Sequence, residues 1–159
     1  MIRLATPADV PLIMHLERAS VSAAHWTEPQ YMQALANAAA KRLVLVAETP
    51  LDSAPNQVTT SAPNILGFLV ALHLSPEWEL ENVVVAPSSR RQGIGKQLLH
   101  ALLATARETN SQSLFLEVRE SNGAARSVYE KTGFAQSGRR KAYYKDPAED
   151  AVLYRLTLE

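Results

Sequence analysis

The sequence predicts a mixed α/β fold, a central β-sheet flanked by helices, on three observations. Apolar runs of strand length alternate with amphipathic helical stretches from one end of the chain to the other. The segments follow the order β-α-α-β-β-β-α-β-α-β-β, which joins strands both directly and across helices. The 159 residues contain no internal repeat and no second block of composition, so a single domain over residues 1–159 is expected.

Each element has a local reason. "IRLA" is a short strand, and "TPADVPLIMHLERAS" opens a helix with Thr6 as cap and Pro7 at its first position. "WTEPQYMQALANAAA" repeats the device, with Thr27 as cap and Gln30 three residues on. "RLVLVAE" and "ILGFLVALHL" are strands joined by "TPLDSAPNQVTTSAPN", whose Pro, Ser, Thr and Asn make it a long hairpin loop. "WELENVVVAP" is the next strand. A long helix follows from "SSRRQGIGKQLLHALLATA", then the strand "SLFLEVRE", a short helix from Ser121 to about Thr132, and the strands "FAQSGRRKAYY" and "AVLYRLTL".

Composition narrows the function. Sixteen basic and sixteen acidic side chains leave a net charge of zero, which argues against a broad electrostatic footprint on nucleic acid or an anionic membrane. Without cysteine, disulfides, thiolate metal sites and a cysteine acyl-enzyme are excluded. The N-terminus has no signal-peptide pattern, and the longest apolar run, residues 65–74, is about half the length of a bilayer span. A cytoplasmic protein is expected. His15, His25, His73 and His100 are scattered without ligand spacing, so no metal is expected.

The turn into the long helix carries the most specific signal. Glycines admit close backbone approach, and a helix N-terminus offers unpaired N–H groups, so the stretch Gly93 to Lys96 points to a phosphate. A dinucleotide fingerprint would place a third glycine where Leu98 stands. A Walker A loop would need Gly at 90 and Ser or Thr at 97, where the chain has Arg90 and Gln97. Arg90-x-x-Gly93-x-Gly95, entered from a strand and leaving into a helix, instead resembles the signature of the GNAT acetyltransferase superfamily. Three blocks, "NVVVAPSSRRQGIGKQLL", "LFLEVRESNGAARSVYEKTGF" and "GRRKAYYKDPAEDAVLYRLTL", are similar to consecutive parts of the RimI-type enzymes, which acetylate the N-terminal alanine of a small-subunit ribosomal protein.

That resemblance implies acetyl-CoA as donor and a protein N-terminus as acceptor. It assigns the pyrophosphate to the backbone of Arg91, Gln92, Gly93, Ile94, Gly95 and Lys96, with Arg90 beside them. It assigns the pantetheine to the strand residues Val83, Val84 and Val85, and a cofactor bond to Asn122. Each residue also has a plainer reading: the glycines as a tight turn, the three bases as a solvated face, the valines as core, and Asn122 as capping chemistry beside Ser121. Tyr129 is implied as the acid that protonates the departing thiolate, against a packing tyrosine. Glu117 is implied as general base, against a structural ion pair with Arg119 or Arg126. Glu79 and Glu81 on the preceding strand are its rivals. Trp26, Tyr143 and Tyr144 are expected to wall the acceptor. Acetylation of lysine or a small amine, and a non-catalytic acetyl-CoA-binding regulator, are the alternative functions.

Overall fold

Residues 1–20, 24–36, 41–50 and 64–159 are described by the computed structural model. Its seven strands are β1 (Ile2–Leu4), β2 (Arg42–Glu48), β3 (Ile65–Leu74), β4 (Glu77–Val85), β5 (Ser113–Arg119), β6 (Ala135–Tyr144) and β7 (Glu149–Thr157). They form one sheet in the order β1-β2-β3-β4-β5-β7-β6. Helices α1 (Val10–Arg18) and α2 (Glu28–Ala36) follow β1, α3 (Ile94–Glu108) connects β4 to β5, and α4 (Gly123–Thr132) precedes β6. The predicted element order and mixed sheet are what the chain adopts. Among the described residues only β4 and β5 run parallel, because a parallel pair needs a crossover and α3 supplies it.

The predicted helix starts are largely as the sequence indicates. Thr27 and Gln30 form their capping box, the Thr27 N–H donating to Gln30 Oε1 at 2.7 Å. Thr6 departs from expectation, since it precedes a 3-10 turn, Pro7–Asp9, and α1 begins only at Val10. Asp9 accepts from the Thr6 N–H at 2.8 Å and from an Arg3 fork at 2.8 and 2.9 Å. That charge-assisted pairing, led by the Arg3 hydrogen bonds, holds the buried carboxyl below its usual range. Strands β2 and β3 pair antiparallel, as a hairpin requires. Most of the predicted loop between them, residues 51–63, and the predicted end of the second helix, residues 37–40, lie outside the described residues.

Apolar side chains cover both faces of the sheet. Ile94, Leu98, Leu99, Leu102, Leu103 and Ala106 of α3 pack with Leu80, Leu114, Leu116 and Tyr154 on one face. Val10, Ile13, Tyr31 and Ala34 pack with Val44, Phe68, Val70 and Val84 on the other. Each fully buried leucine of α3 contributes about 1.5–3 kcal/mol through removal of its surface from water.

One irregularity in β4 positions everything that follows. Asn82 pairs with Val70 and Leu80 with Ala71, so Glu81 is an extra residue opposite the regular strand β3. This bulge exchanges the two faces: Leu80 and Val83, three residues apart, both pack on the α3 side. The ladder between β4 and β5 then stops at Leu80 and Leu116. Beyond it β4 continues to Val85 along β3, and β5 continues to Arg119 along β7. Two neighbouring strands thus part within the sheet, and the facing edge of β4 carries backbone groups without a strand partner. Gly67 of β3 keeps this region tight, because a Cβ there would lie 2.7 Å from the Val84 carbonyl oxygen.

Candidate active site

Where β4 and β5 part, a cleft of about 870 Å³ opens, lined by Val83, Glu79, Glu81, Glu117, Asn122, Tyr129, Trp26, Tyr143 and Tyr144 among others. The structure therefore gathers residues from the two parted strands, α4, the turn before α2 and the β6–β7 hairpin. A neighbouring cavity of about 400 Å³ is bounded by Arg90, Arg119, Ser121 and Asn122. Asn122 borders both.

The turn from β4 into α3 presents main chain. Gly93 caps the helix in the left-handed region at φ 79, with nothing within 4 Å of where a Cβ would stand. Gln97 is the first residue to bond back, its N–H reaching the Gly93 carbonyl at 3.0 Å, so the N–H groups of Ile94, Gly95 and Lys96 remain as open donors at the positive helix end. Ile94 is a core residue by its side chain; only its backbone faces the turn. Arg90, Arg91, Gln92 and Lys96 are exposed around this end. Arg90 also bonds the Val85 carbonyl at 3.4 Å. Val83 and Val85 pack on the α3 side, while Val84 is buried on the opposite face.

Three glutamates meet the cleft in different states. Glu81 receives a fork from Arg42 at 2.8 and 3.0 Å, which commits it to an ion pair. Glu117 pairs with Arg140, Nε to Oε1 at 3.0 Å. The partners named for Glu117 from sequence are not the ones it takes. Arg119 lies 4.4 Å over the Tyr144 ring and bonds the carbonyls of Lys145 and Pro147, and Arg126 bonds the Tyr154 hydroxyl and the Glu120 carbonyl. Glu79 is pushed above the usual carboxylate range, first by burial and then by the charges of Glu81 and Glu117.

The tyrosines are held protonated. Tyr129 is 6% exposed, edge-on to Phe134 at 5.9 Å, and burial raises its pKa, with Tyr144 adding to the shift. Tyr144 is pushed up to about 12 by burial and by Glu117. Tyr143, about half exposed, is raised chiefly by hydrogen bonding to the Glu117 carboxylate. Asn122, and not Ser121, is the N-cap of α4: its Oδ1 accepts from the Ala125 N–H at 3.2 Å. The capping reading is thus correct for that oxygen, and the residue still borders the cleft.

Sequence reasoning missed the group that fixes the Trp26 turn. Glu17 is 2% exposed and accepts from the Trp26 N–H at 2.9 Å, the Tyr31 hydroxyl at 2.7 Å and the Asn82 amide at 3.2 Å. The signal was available, because Glu17 continues the buried stripe of Val10 and Ile13 along α1, a place where a charge needs an explanation. Arg42 covers the Trp26 ring at 5.2 Å, so this wall is clamped through both backbone and ring. His15, His25 and His100 are exposed. His73 stacks on Trp78 at 4.5 Å, away from the cleft.

The parallel strands of the sheet part beside a glycine turn and an open helix end. The chain matches the Acetyltransferase (GNAT) family over residues 25–134, and it belongs to that family. It is an acetyl-CoA-dependent N-acetyltransferase. It is 38% identical over 102 residues to the ribosomal protein bS18 alanine N-acetyltransferase of Haemophilus ducreyi, a match covering 62% of this chain and 70% of that one. To the protein of the same name from Escherichia coli K12 it is 35% identical over 101 residues, 62% of this chain and 68% of the other. The crystal structure of the Escherichia coli enzyme superposes with a TM-score of 0.78 at 26% identity, covering all of this chain and 94% of that one.

Proposed function

We propose that this chain, acting as one cytoplasmic N-acetyltransferase domain, transfers acetyl from acetyl-CoA to the N-terminal α-amine of a protein, the alanine of a small-subunit ribosomal protein, by direct attack in a ternary complex. One observation carries the reading: β4 and β5 part after Leu80 and Leu116, leaving a slot with an open β-edge on one flank and Trp26, Tyr143 and Tyr144 on the other. The relatives named above carry the same acceptor in their names.

The donor fits the residues present. Open N–H groups at Ile94, Gly95 and Lys96 suit a pyrophosphate, and the free edge of β4 from Asn82 to Val85 suits the amides of a pantetheine arm, bonded as an added strand. Acetyl-CoA supplies the activated acyl group as a thioester. The unpaired N–H groups of the parted strand would supply a donor for the charge that develops on a thioester oxygen. Glu117 takes the proton from the attacking amine, directly or through water. Tyr129 delivers its own proton to the departing sulfur. Burial keeps this phenol in its protonated form, the form that can donate.

An α-amine, with a pKa near 8 against about 10.4 for lysine, needs only modest help to become nucleophilic at neutral pH. Its walled slot admits a chain end and leaves little room for a lysine approached from mid-chain. Tandem mass spectrometry of two peptides tests this: one beginning with free alanine, and the same peptide with a blocked N-terminus and an internal lysine. The first is expected to be acetylated far faster. Equal or faster modification of the lysine peptide refutes the N-terminal assignment. In the same assay Glu117→Gln is expected to be crippled and Glu79→Gln to retain turnover, and the reverse moves the base to β4.

A further inference from the structure

We infer that Arg140 occupies the position taken by the acceptor's ammonium group and so acts as a built-in competitor that every acceptor must displace. This rests on the acceptor and base proposed above. Its guanidinium lies 3.0 Å from the Glu117 carboxylate and 5.6 Å from the centroid of the Tyr143 ring. A carboxylate facing an aromatic ring is a site for any compact organic cation, by ion pairing and by attraction to the ring face. Arg18, Arg119 and Lys145 line the cleft and none of them pairs with Glu117: Arg119 is committed to the Tyr144 ring and two carbonyls, and Arg42 nearby is committed to Glu81. Among the described residues, Arg140 is the cation that forms an ion pair with Glu117.

Arg140 is also built to leave. It stands on β6, at the end of the sheet, where the register with β7 breaks between Arg140 and Tyr144 and Ala142 adopts φ 50. Its side chain is 57% exposed against 21% for Glu117, so the guanidinium can swing into solvent without uncovering core. The chemistry of the exchange is one-sided. An arriving α-ammonium can lose its proton to Glu117 and become a nucleophile, whereas a guanidinium stays charged across the physiological range and cannot react. Arg140 therefore fills the site with an inert cation and admits only acceptors whose remaining contacts, along the Trp26 and Tyr144 walls, help to outcompete it.

Calorimetry can decide this without turnover. A peptide beginning with free alanine and its N-acetylated twin are titrated into the parent protein, Arg140→Gln and Arg140→Lys. The free-amine peptide is expected to bind Arg140→Gln about 2- to 5-fold more tightly than the parent, the range of a partly exposed ion pair. The acetylated twin is expected to bind both alike, and Arg140→Lys to resemble the parent. In steady state, the gain appears as a lower peptide KM at nearly constant kcat. Equal or weaker binding of the free-amine peptide to Arg140→Gln, or an equal gain for both peptides, overturns the inference. A parent protein that binds the peptide but leaves it unacetylated refutes the proposed function instead, and the binding comparison still decides the role of Arg140.

Discussion

Along the β4 edge and the turn into α3, the cleft is made of main chain: a bulge at Glu81, a left-handed Gly93, and N–H groups that no neighbouring strand or preceding turn uses. Across from it, the Trp26 turn and the β6–β7 hairpin are held by side chains that meet over long stretches of sequence. Arg42 reaches Glu81 across 39 residues, and Asn82 reaches Glu17 across 65. The first flank suits a ligand common to a whole superfamily, since backbone donors are indifferent to the side chains around them. The second suits a particular acceptor, because replacing a few side chains reshapes it while the sheet stays as it is.

Substitutions can break that division or sharpen it. The largest effect is expected at Tyr129, where the flanks meet. Tyr129→Phe keeps the ring against Phe134 and removes the proton, so kcat should fall by about 10²–10⁴ with little change in acetyl-CoA affinity. Parent-like kcat would leave the residue a packing tyrosine.

On the main-chain flank, Gly95→Val should lower acetyl-CoA affinity about tenfold or more by blocking backbone approach. A Cβ at this position meets only Val85 Cγ2, at 3.7 Å, so the melting temperature should stay close to the parent's. Gly93→Val is a poorer probe, since φ 79 strains any β-branched residue whatever the ligand. Undiminished affinity in folded Gly95→Val, measured by calorimetry, would remove the pyrophosphate from this turn.

On the side-chain flank, Glu17→Ala strips the acceptor from the Trp26 N–H, the Tyr31 hydroxyl and the Asn82 amide. Each donor left buried and unpaired costs about 1–3 kcal/mol, so the denaturant midpoint should drop clearly. Glu17→Gln should lose less stability. In it, the peptide KM should rise while the acetyl-CoA dissociation constant holds, and an equal rise in both would show that the flanks are not separable.

The smallest effect concerns Glu79. Its folded-state pKa lies above its unfolded value, so the folded state binds its proton more tightly, and the associated stability is present at low pH and lost as pH rises through the folded pKa. Glu79→Gln should therefore melt slightly above the parent at neutral pH, with the difference shrinking toward about pH 4. Asp9 has the opposite sign. Its lowered pKa gives stability that is present above the unfolded value of about 3.9 and lost on further acidification, and Asp9→Asn should abolish that part of the acid dependence.

The sequence by itself determined what depends on near neighbours along the chain. The strand and helix order follows from apolar periods, the Thr27–Gln30 box from a spacing of three, and the α3 turn from glycines in front of an apolar stripe; each is a property of fewer than about twenty consecutive residues. The residues expected in the cleft, Trp26, Glu117, Asn122, Tyr129, Tyr143 and Tyr144, do come together there. Only the tertiary structure decided how they are held. Ion pairs between distant strands depend on register, and a bulge at Glu81 that exchanges the two faces of β4 leaves no mark in hydrophobic alternation that a reader could separate from noise. So Glu117 takes Arg140 rather than Arg119 or Arg126, Asn122 rather than Ser121 caps α4, and Glu17 binds the Trp26 turn from inside the core. A one-residue slip along any strand would turn these side chains to the opposite face, and only the assembled sheet forbids it.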